Sequence, residues 1–280
     1  MTSAAAGPGA TASTGRRPRR RRRPERPVNE PIVRLWPGPD PTPLGDEALI
    51  EAYAPHQPAE LRVNFVTSLD GAVAIDGLSA GLSGPADKRV FGVLRMRCDA
   101  LLVGAGTVRD EGYRAVRLDA RRRAWRTAQG RAPFPVLVVV SRSLALDPTS
   151  APFAEAPVRP VVLTCANAPA DRRTALARVA DVIAVGEQDV DLGAGVQQLR
   201  ERGLAELLSE GGPQLFGALT GADLVDELCL TVAPLLAGPG AGRITAGEPV
   251  APQTLALRQL LAAGDLLLTR YGRSAGAAGP

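Results

Sequence analysis

The stretch Arg62-Val63-Asn64-Phe65-Val66-Thr67-Ser68-Leu69-Asp70, followed by Gly71, opens as an apolar, β-prone run and closes in small polar residues and a carboxylate. A strand buried on both faces of an α/β sheet is nearly all apolar. Ligands in such sheets sit beyond the carboxyl ends of the strands. Thr67, Ser68 and Asp70 therefore fall where a site belongs, and Gly71 lets the chain turn sharply.

Outward from this strand the pattern alternates. Pro85 to Arg97 reads as a helix, with Pro85 in its first turn and Val90, Phe91, Leu94 and Cys98 at helical spacing. Ala100 to Val103 reads as a second buried strand, Val136 to Val140 as a third, Val161 to Cys165 as a fourth and Val182 to Val185 as a fifth. A sixth follows at Leu204 to Leu208. Helices are expected at Pro169 to Val179, Gly193 to Arg202 and Pro213 to Thr220. Leu224 to Val232 and Asp265 to Tyr271 read as closing strands, with Pro249 to Ala263 left unassigned. Gly and Pro end most units, as βα connections require. The expected fold is α/β, with a mostly parallel central sheet, an antiparallel C-terminal edge and helices on both faces.

The 280 residues suffice for one large domain or two small ones. Hydrophobic residues make up 45% and aromatics 4%, so the core must be built from Leu, Val and Ala. No apolar run reaches about 18 residues, so no membrane span is expected. No apolar segment follows the N-terminal charges, so a cytoplasmic protein is expected. Three widely spaced cysteines fit buried small hydrophobes in a reducing compartment. A single histidine, His56, argues against a His-based metal site or a Ser-His-Asp triad.

The net charge of +4 is unevenly spread. Residues 1–31 hold eight arginines and two glutamates, a net +6, which leaves −2 for the rest. The run from Arg16 to Arg23 repels itself and buries nothing, so residues 1–31 are expected to be a disordered tail. Such a tail can hold nucleic acid non-specifically, but the body lacks the basic surface of a nucleic-acid-binding domain. Residues 32–60 read as a Pro-rich arm packed on the body, with a short helix from Asp46 to Tyr53 and Trp36 as a packing anchor. Residues 273–280 read as a flexible end.

Three strand ends suit an anionic cofactor. Gly104-Ala105-Gly106-Thr107 lets backbone N–H groups approach a phosphate. Glu210-Gly211-Gly212-Pro213 ends a strand, frees the backbone and opens a helix, which makes a pyrophosphate cradle. Ser141-Arg142 places a hydroxyl and a guanidinium where a ribose 2′-phosphate would lie. Among the carboxylates, Asp226-Glu227 reads as structural, and Asp87 lies in a helix first turn, where the dipole favours it. Without a placed histidine, proton transfer falls to Asp, Glu, Tyr or water.

Val66-Thr67-Ser68-Leu69-Asp70-Gly71, Gly104-Ala105-Gly106-Thr107-Val108, Glu210-Gly211-Gly212 and Leu224-Val225-Asp226-Glu227-Leu228 with Ala233-Pro234 occur in this order. Together they resemble the reductase domain of the bacterial bifunctional riboflavin-biosynthesis deaminase-reductase, over about residues 60–272. The resemblance implies a dihydrofolate-reductase-like fold, NADPH as cofactor, and reduction of the ribosyl group of 5-amino-6-(5-phosphoribosylamino)uracil to ribityl by hydride transfer. It implies cofactor contacts at Val66, Thr67, Gly81, Gly104, Gly106, Thr107, Ser141, Arg142, Gly211, Gly212 and Pro213. It implies substrate contacts at Ser68, Ser79, Arg95, Glu111 and Glu210, with Asp70 and Glu210 as catalytic residues. It also implies a homodimer formed through the C-terminal part of the sheet.

Two departures stand out. Asn64 occupies a position where the riboflavin-pathway enzymes usually carry Lys, and the His-x-Glu and Pro-Cys-x-x-Cys of a deaminase are missing. The chain thus resembles a stand-alone actinobacterial-type paralogue. Two other readings remain open: a reductase of another pterin-like substrate such as dihydrofolate, and nucleic-acid binding through the tail.

Overall fold

The computed structural model describes residues 30–273. Almost all of the Arg-rich tail and the last seven residues lie outside them. The chain begins with β1 (Val33–Trp36) and α1 (Asp46–Ala52), then β2 (Glu60–Ser68), α2 (Pro85–Arg97), β3 (Ala100–Gly104) and α3 (Ala105–Asp110). It continues through α4 (Ala120–Ala128), β4 (Val136–Val140), α5 (Ala151–Ala154), β5 (Val161–Thr164), α6 (Ala170–Leu176) and β6 (Asp181–Ala184). It closes with α7 (Leu192–Glu201), β7 (Glu206–Ser209), α8 (Pro213–Gly221), β8 (Glu227–Ala233), β9 (Leu255–Ala263) and β10 (Leu266–Arg273).

One ten-stranded sheet runs in the order β1-β9-β10-β8-β2-β7-β3-β4-β5-β6. From β8 to β6 every neighbouring pair is parallel, and β1, β9, β10 and β8 pair antiparallel. The period of two in β3 sorts its residues between two core layers. Leu101 and Val103 join Val90, Val93 and Leu94 of α2. Ala100 and Leu102 join Val196 and Leu199 of α7 and Leu215, Phe216 and Leu219 of α8. A strand with no polar position in it is what burial on both faces demands.

Local chemistry sets the helix ends. Pro85 follows the extended Gly84 at the start of α2. The other end of α2 meets the guanidinium of Arg126, almost fully buried, which donates to the carbonyls of Met96 at 2.9 Å and Cys98 at 2.5 Å. A cation is well placed on the negative end of a helix. Asp119 and Asp191 cap α4 and α7 by accepting from Arg122 N and Ala194 N.

The amino ends of the parallel strands are held by buried charge. Glu227 on β8 is fully buried between Arg62 of β2, with Nε 2.6 Å from Oε1, and Arg270 of β10, 2.7 Å from Oε2. His56 Nε2 lies 3.6 Å from the same carboxylate. Burial opposes ionisation of Glu227, but the two guanidiniums outweigh it and lower its pKa. This latch keeps β2, β8 and β10 in register, and the carboxyl ends of β2 and β8 open on the opposite edge.

Several elements differ from the sequence reading. The unassigned segment holds β9, whose Leu- and Ala-rich residues favour helix. Pairing with β1 on one side and β10 on the other overrides that preference. β1 makes the arm part of the sheet, and Trp36 is 51% exposed rather than a packing anchor. β8 starts at Glu227 rather than Leu224, because Asp223 has φ 56° and Leu224 N donates to Leu219 O, which turns the chain after α8. α4 arises in an Arg-rich stretch not expected to be helical. Arg273 belongs to β10, donating to Val225 O and to Asp223.

Candidate active site

The carboxyl ends of β2, β7 and β3 lie side by side, and glycines let their loops meet closely. Gly104 N donates to Gly211 O at 2.8 Å, and Glu210 N donates to Leu102 O at 3.0 Å. Gly211 has φ 85°, and a Cβ there would lie 2.5 Å from the Phe65 ring, which stacks on Phe216. The Gly211–Gly212 peptide is cis. A Cβ on Gly212 would lie 3.0 Å from Thr107 Oγ1, so a bare backbone, a hydroxyl and a helix start share one small space. Pro213 opens α8 behind Gly212, and no side chain caps the helix. The amides of its first turn lack intrahelical acceptors and favour an anion. Gly104, Thr107, Gly211, Gly212 and Pro213 thus meet in a cradle at an uncapped helix start, where an anion would be favoured. Gly106, expected in the loop, is the second residue of α3.

Beside the cradle, the polar end of β2 braces itself. Thr67 Oγ1 donates to Ala72 O at 3.1 Å, Ser68 Oγ donates to Asp70 Oδ1, and Ser68 Oγ accepts from Ala72 N at 2.9 Å. Asp70 also accepts from Ala237 N and Gly238 N at 3.1 and 2.8 Å. The Ser68 hydroxyl and these two amides lower its pKa to about 2. At neutral pH it has no proton to give. Its carboxylate joins the turn after β2 to the loop after β8 and shapes the rim. Thr67 and Ser68 are buried and serve the same turn. Val66 is half-buried.

Across the cleft, Arg95 of α2 meets Glu210 at the end of β7. Nε reaches Oε1 at 2.6 Å and Nη2 reaches Oε2 at 2.6 Å, and Tyr113 Oη donates to Oε2 at 2.8 Å. The guanidinium lies over the Phe91 ring at 4.2 Å. Burial and Glu210 push the Tyr113 hydroxyl well above its usual range. Arg95 and Glu210, both expected to contact substrate, are joined to each other in a two-pronged ion pair. Ser79 joins this wall through Glu111, which accepts from Ser79 N at 3.4 Å, and Gly81 closes the same turn against Ile75.

Ser141 and Arg142 sit two strands away, past β4. Ser141 is buried and its Oγ accepts from Leu144 N at 3.0 Å, so its hydroxyl shapes the following turn. Arg142 is exposed and pairs with Asp189 at 2.8 Å. Arg172 Nη1 and Arg109 Nη1 also reach this turn, donating to the carbonyls of Ser143 and Ala145.

The sequence reading left Asp87 as a helix-start carboxylate. In the structure it is buried in the first turn of α2, and Ser83 Oγ donates to it at 2.5 Å. The hydroxyl of Thr231 on β8, which stands in register with Val66, also faces it. Burial raises its pKa, with the two hydroxyls opposing. The legible signal was the i, i+4 pair Ser83 and Asp87 flanking Pro85. Among the described residues no cluster of three or more His, Cys, Asp or Glu suits a metal, and no helix is long and apolar enough to cross a membrane.

Comparison with known proteins agrees with this architecture. The family model described as the RibD C-terminal domain matches residues 59–267. The 2,5-diamino-6-ribosylamino-4(3H)-pyrimidinone 5′-phosphate reductase of Archaeoglobus fulgidus is 32% identical over 177 residues, 63% of this chain and 80% of that protein. The protein of the same name from Methanothermobacter thermautotrophicus is 31% identical over 215 residues, 75% of this chain and 95% of its own length. The crystal structure of a pyrimidine reductase-like protein from Corynebacterium diphtheriae superposes with a TM-score of 0.75 at 27% identity, covering 83% of this chain and 100% of that one.

Proposed function

The chain belongs to the RibD C-terminal domain family, and from that premise we propose that it is an NADPH-dependent reductase that converts a ribosylaminopyrimidine 5′-phosphate to its ribityl form. The observation that carries the proposal is the cradle of Gly104, Thr107, Gly211 and Gly212 at the uncapped start of α8, beside the end of β2. Bound there, a reduced nicotinamide dinucleotide supplies a hydride. The chain's own residues hold and orient. The cradle takes the pyrophosphate, the turn after Ser141 with Arg142 takes the far ribose and its 2′-phosphate, and the brace around Asp70 shapes the rim beside Val66. The wall of Ser79, Arg95, Glu111 and Glu210 faces the substrate, with Glu210 acting as the residue that positions Arg95 and Tyr113.

The relatives are named for the 2,5-diamino pyrimidinone, which differs from the expected uracil by an amino group in place of an oxygen. Label transfer tests the reaction. With NADPH deuterated at C4, deuterium should appear at C1′ of the ribityl product by NMR. A product without deuterium at C1′ contradicts the proposal.

The same reading includes a homodimer. On the face of the antiparallel strands away from α2, Leu230 and Val232 of β8 neighbour Leu267 of β10, and Leu260 of β9 lies beyond. All four are half-exposed. An apolar sheet face of this kind, running across three strands, supports a self-complementary contact between two copies.

A further inference from the structure

We propose that Ser83 and Asp87 form the proton-delivery pair of the reduction, with Ser83 Oγ as the donor to substrate and Asp87 as the acid behind it. The proposal rests on the reductase reading. Going from ribosyl to ribityl, C1′ gains a hydride, the C1′–O4′ bond breaks, and its electron pair stays on O4′. The sugar is reduced by two electrons and the nicotinamide oxidised by two. O4′ must then take one proton. Asp70, deprotonated far below neutrality, cannot supply it, and both carboxylate oxygens of Glu210 are engaged by Arg95.

Asp87 meets the need by its surroundings. It is a buried carboxyl whose polar partners are hydroxyls rather than a cation: Ser83 from the turn before α2 and Thr231 from β8. The nearest charge is Lys88 on the same helix, exposed to solvent. A buried carboxyl without a paired cation favours its neutral form. Ser83 is half-buried and lies at the end of the Ser79–Gly81 turn, which hydrogen-bonds Glu111 and lines the substrate wall. For delivery the contact runs the other way, from the protonated Asp87 carboxyl to Ser83 Oγ, which frees the hydroxyl proton for O4′; Ser83 then takes the carboxyl proton and Asp87 is reprotonated from solvent.

The test uses Asp87→Asn, Asp87→Glu and Ser83→Ala in the full chain. NADPH affinity, followed by fluorescence, should be unchanged in all three. Wild type should lose kcat as pH rises; Asp87→Asn should lower kcat about 10²-fold or more and lack that alkaline limb, and Asp87→Glu should retain it. The infrared carboxylic-acid band of the unliganded wild type should persist above the ordinary carboxylate range and be missing from Asp87→Asn. An active wild type whose Asp87→Asn variant keeps both its rate and its alkaline limb overturns the pair alone. A wild type that binds NADPH and leaves the pyrimidine unreduced overturns the reductase reading and the pair with it.

Discussion

At the scale of single residues, the site is built from carboxylates that look alike in sequence and are set apart by partners. Asp70 spends its lone pairs on a hydroxyl and two amides, Glu210 on Arg95 and Tyr113, and Glu227 on Arg62 and Arg270. Removing one partner from a buried pair leaves the other charge stranded. Glu227→Ala should therefore cost about 3–5 kcal/mol in a urea melt, although Glu227 lies at the far edge from the cradle. For Asp70 the sign follows from its depressed pKa. The stabilisation is present above the ordinary value of 3.8 and is lost as pH falls toward about 2. Acid unfolding of Asp70→Asn should lack that component across this window. Sequence placed the motif around Asp70 at a strand end but could not reveal its brace, because Ala237 and Gly238 lie far along the chain. The lock between Arg95 and Glu210 was hidden for the same reason. Asp87 was seen and given only its helix-dipole meaning, because burial by β8 is invisible in the local pattern.

At the scale of elements, the glycines between β7 and α8 separate stability from binding. Gly211 has φ 85° and would push a Cβ into Phe65. Gly211→Ala should destabilise the fold by about 2 kcal/mol, since strain and clash act together, a fall in Tm of several degrees. Gly212 has φ −70°, which alanine adopts freely, and its added Cβ would press only on Thr107 Oγ1. Gly212→Ala should keep its Tm within about 3 °C while weakening NADPH binding about tenfold or more, which a fluorescence titration reads. The parallel strands were legible because burial on both faces writes an apolar run. β9 was not, since its Leu- and Ala-rich residues form a strand only when β1 and β10 flank them. α4 was masked by its arginines, and Arg126 among them is buried for its hydrogen bonds to the end of α2.

At the scale of the whole molecule, the sheet divides its work. The parallel part carries helices on both faces and gathers the cradle at its carboxyl edge. The antiparallel part leaves an apolar face that no helix among the described residues covers, and the homodimer proposed above would bury it. Leu230→Glu on that face should convert the dimer to monomers in sedimentation velocity, and an unchanged sedimentation coefficient would contradict that surface. The α/β class and the antiparallel C-terminal edge were readable from strand spacing. Neither the place of β1 at the sheet's outer edge nor the uncovered face was, because both depend on which strands become neighbours.

The account's central claim is that this fold reduces a ribosylaminopyrimidine with NADPH. It is tested most directly by following NADPH absorbance with the 2,5-diamino ribosylaminopyrimidinone 5′-phosphate, with its uracil counterpart and with dihydrofolate in parallel. Oxidation with a ribosylaminopyrimidine and none with dihydrofolate is the expected result. Oxidation only with dihydrofolate, or none at all in protein shown to bind NADPH, would contradict the claim.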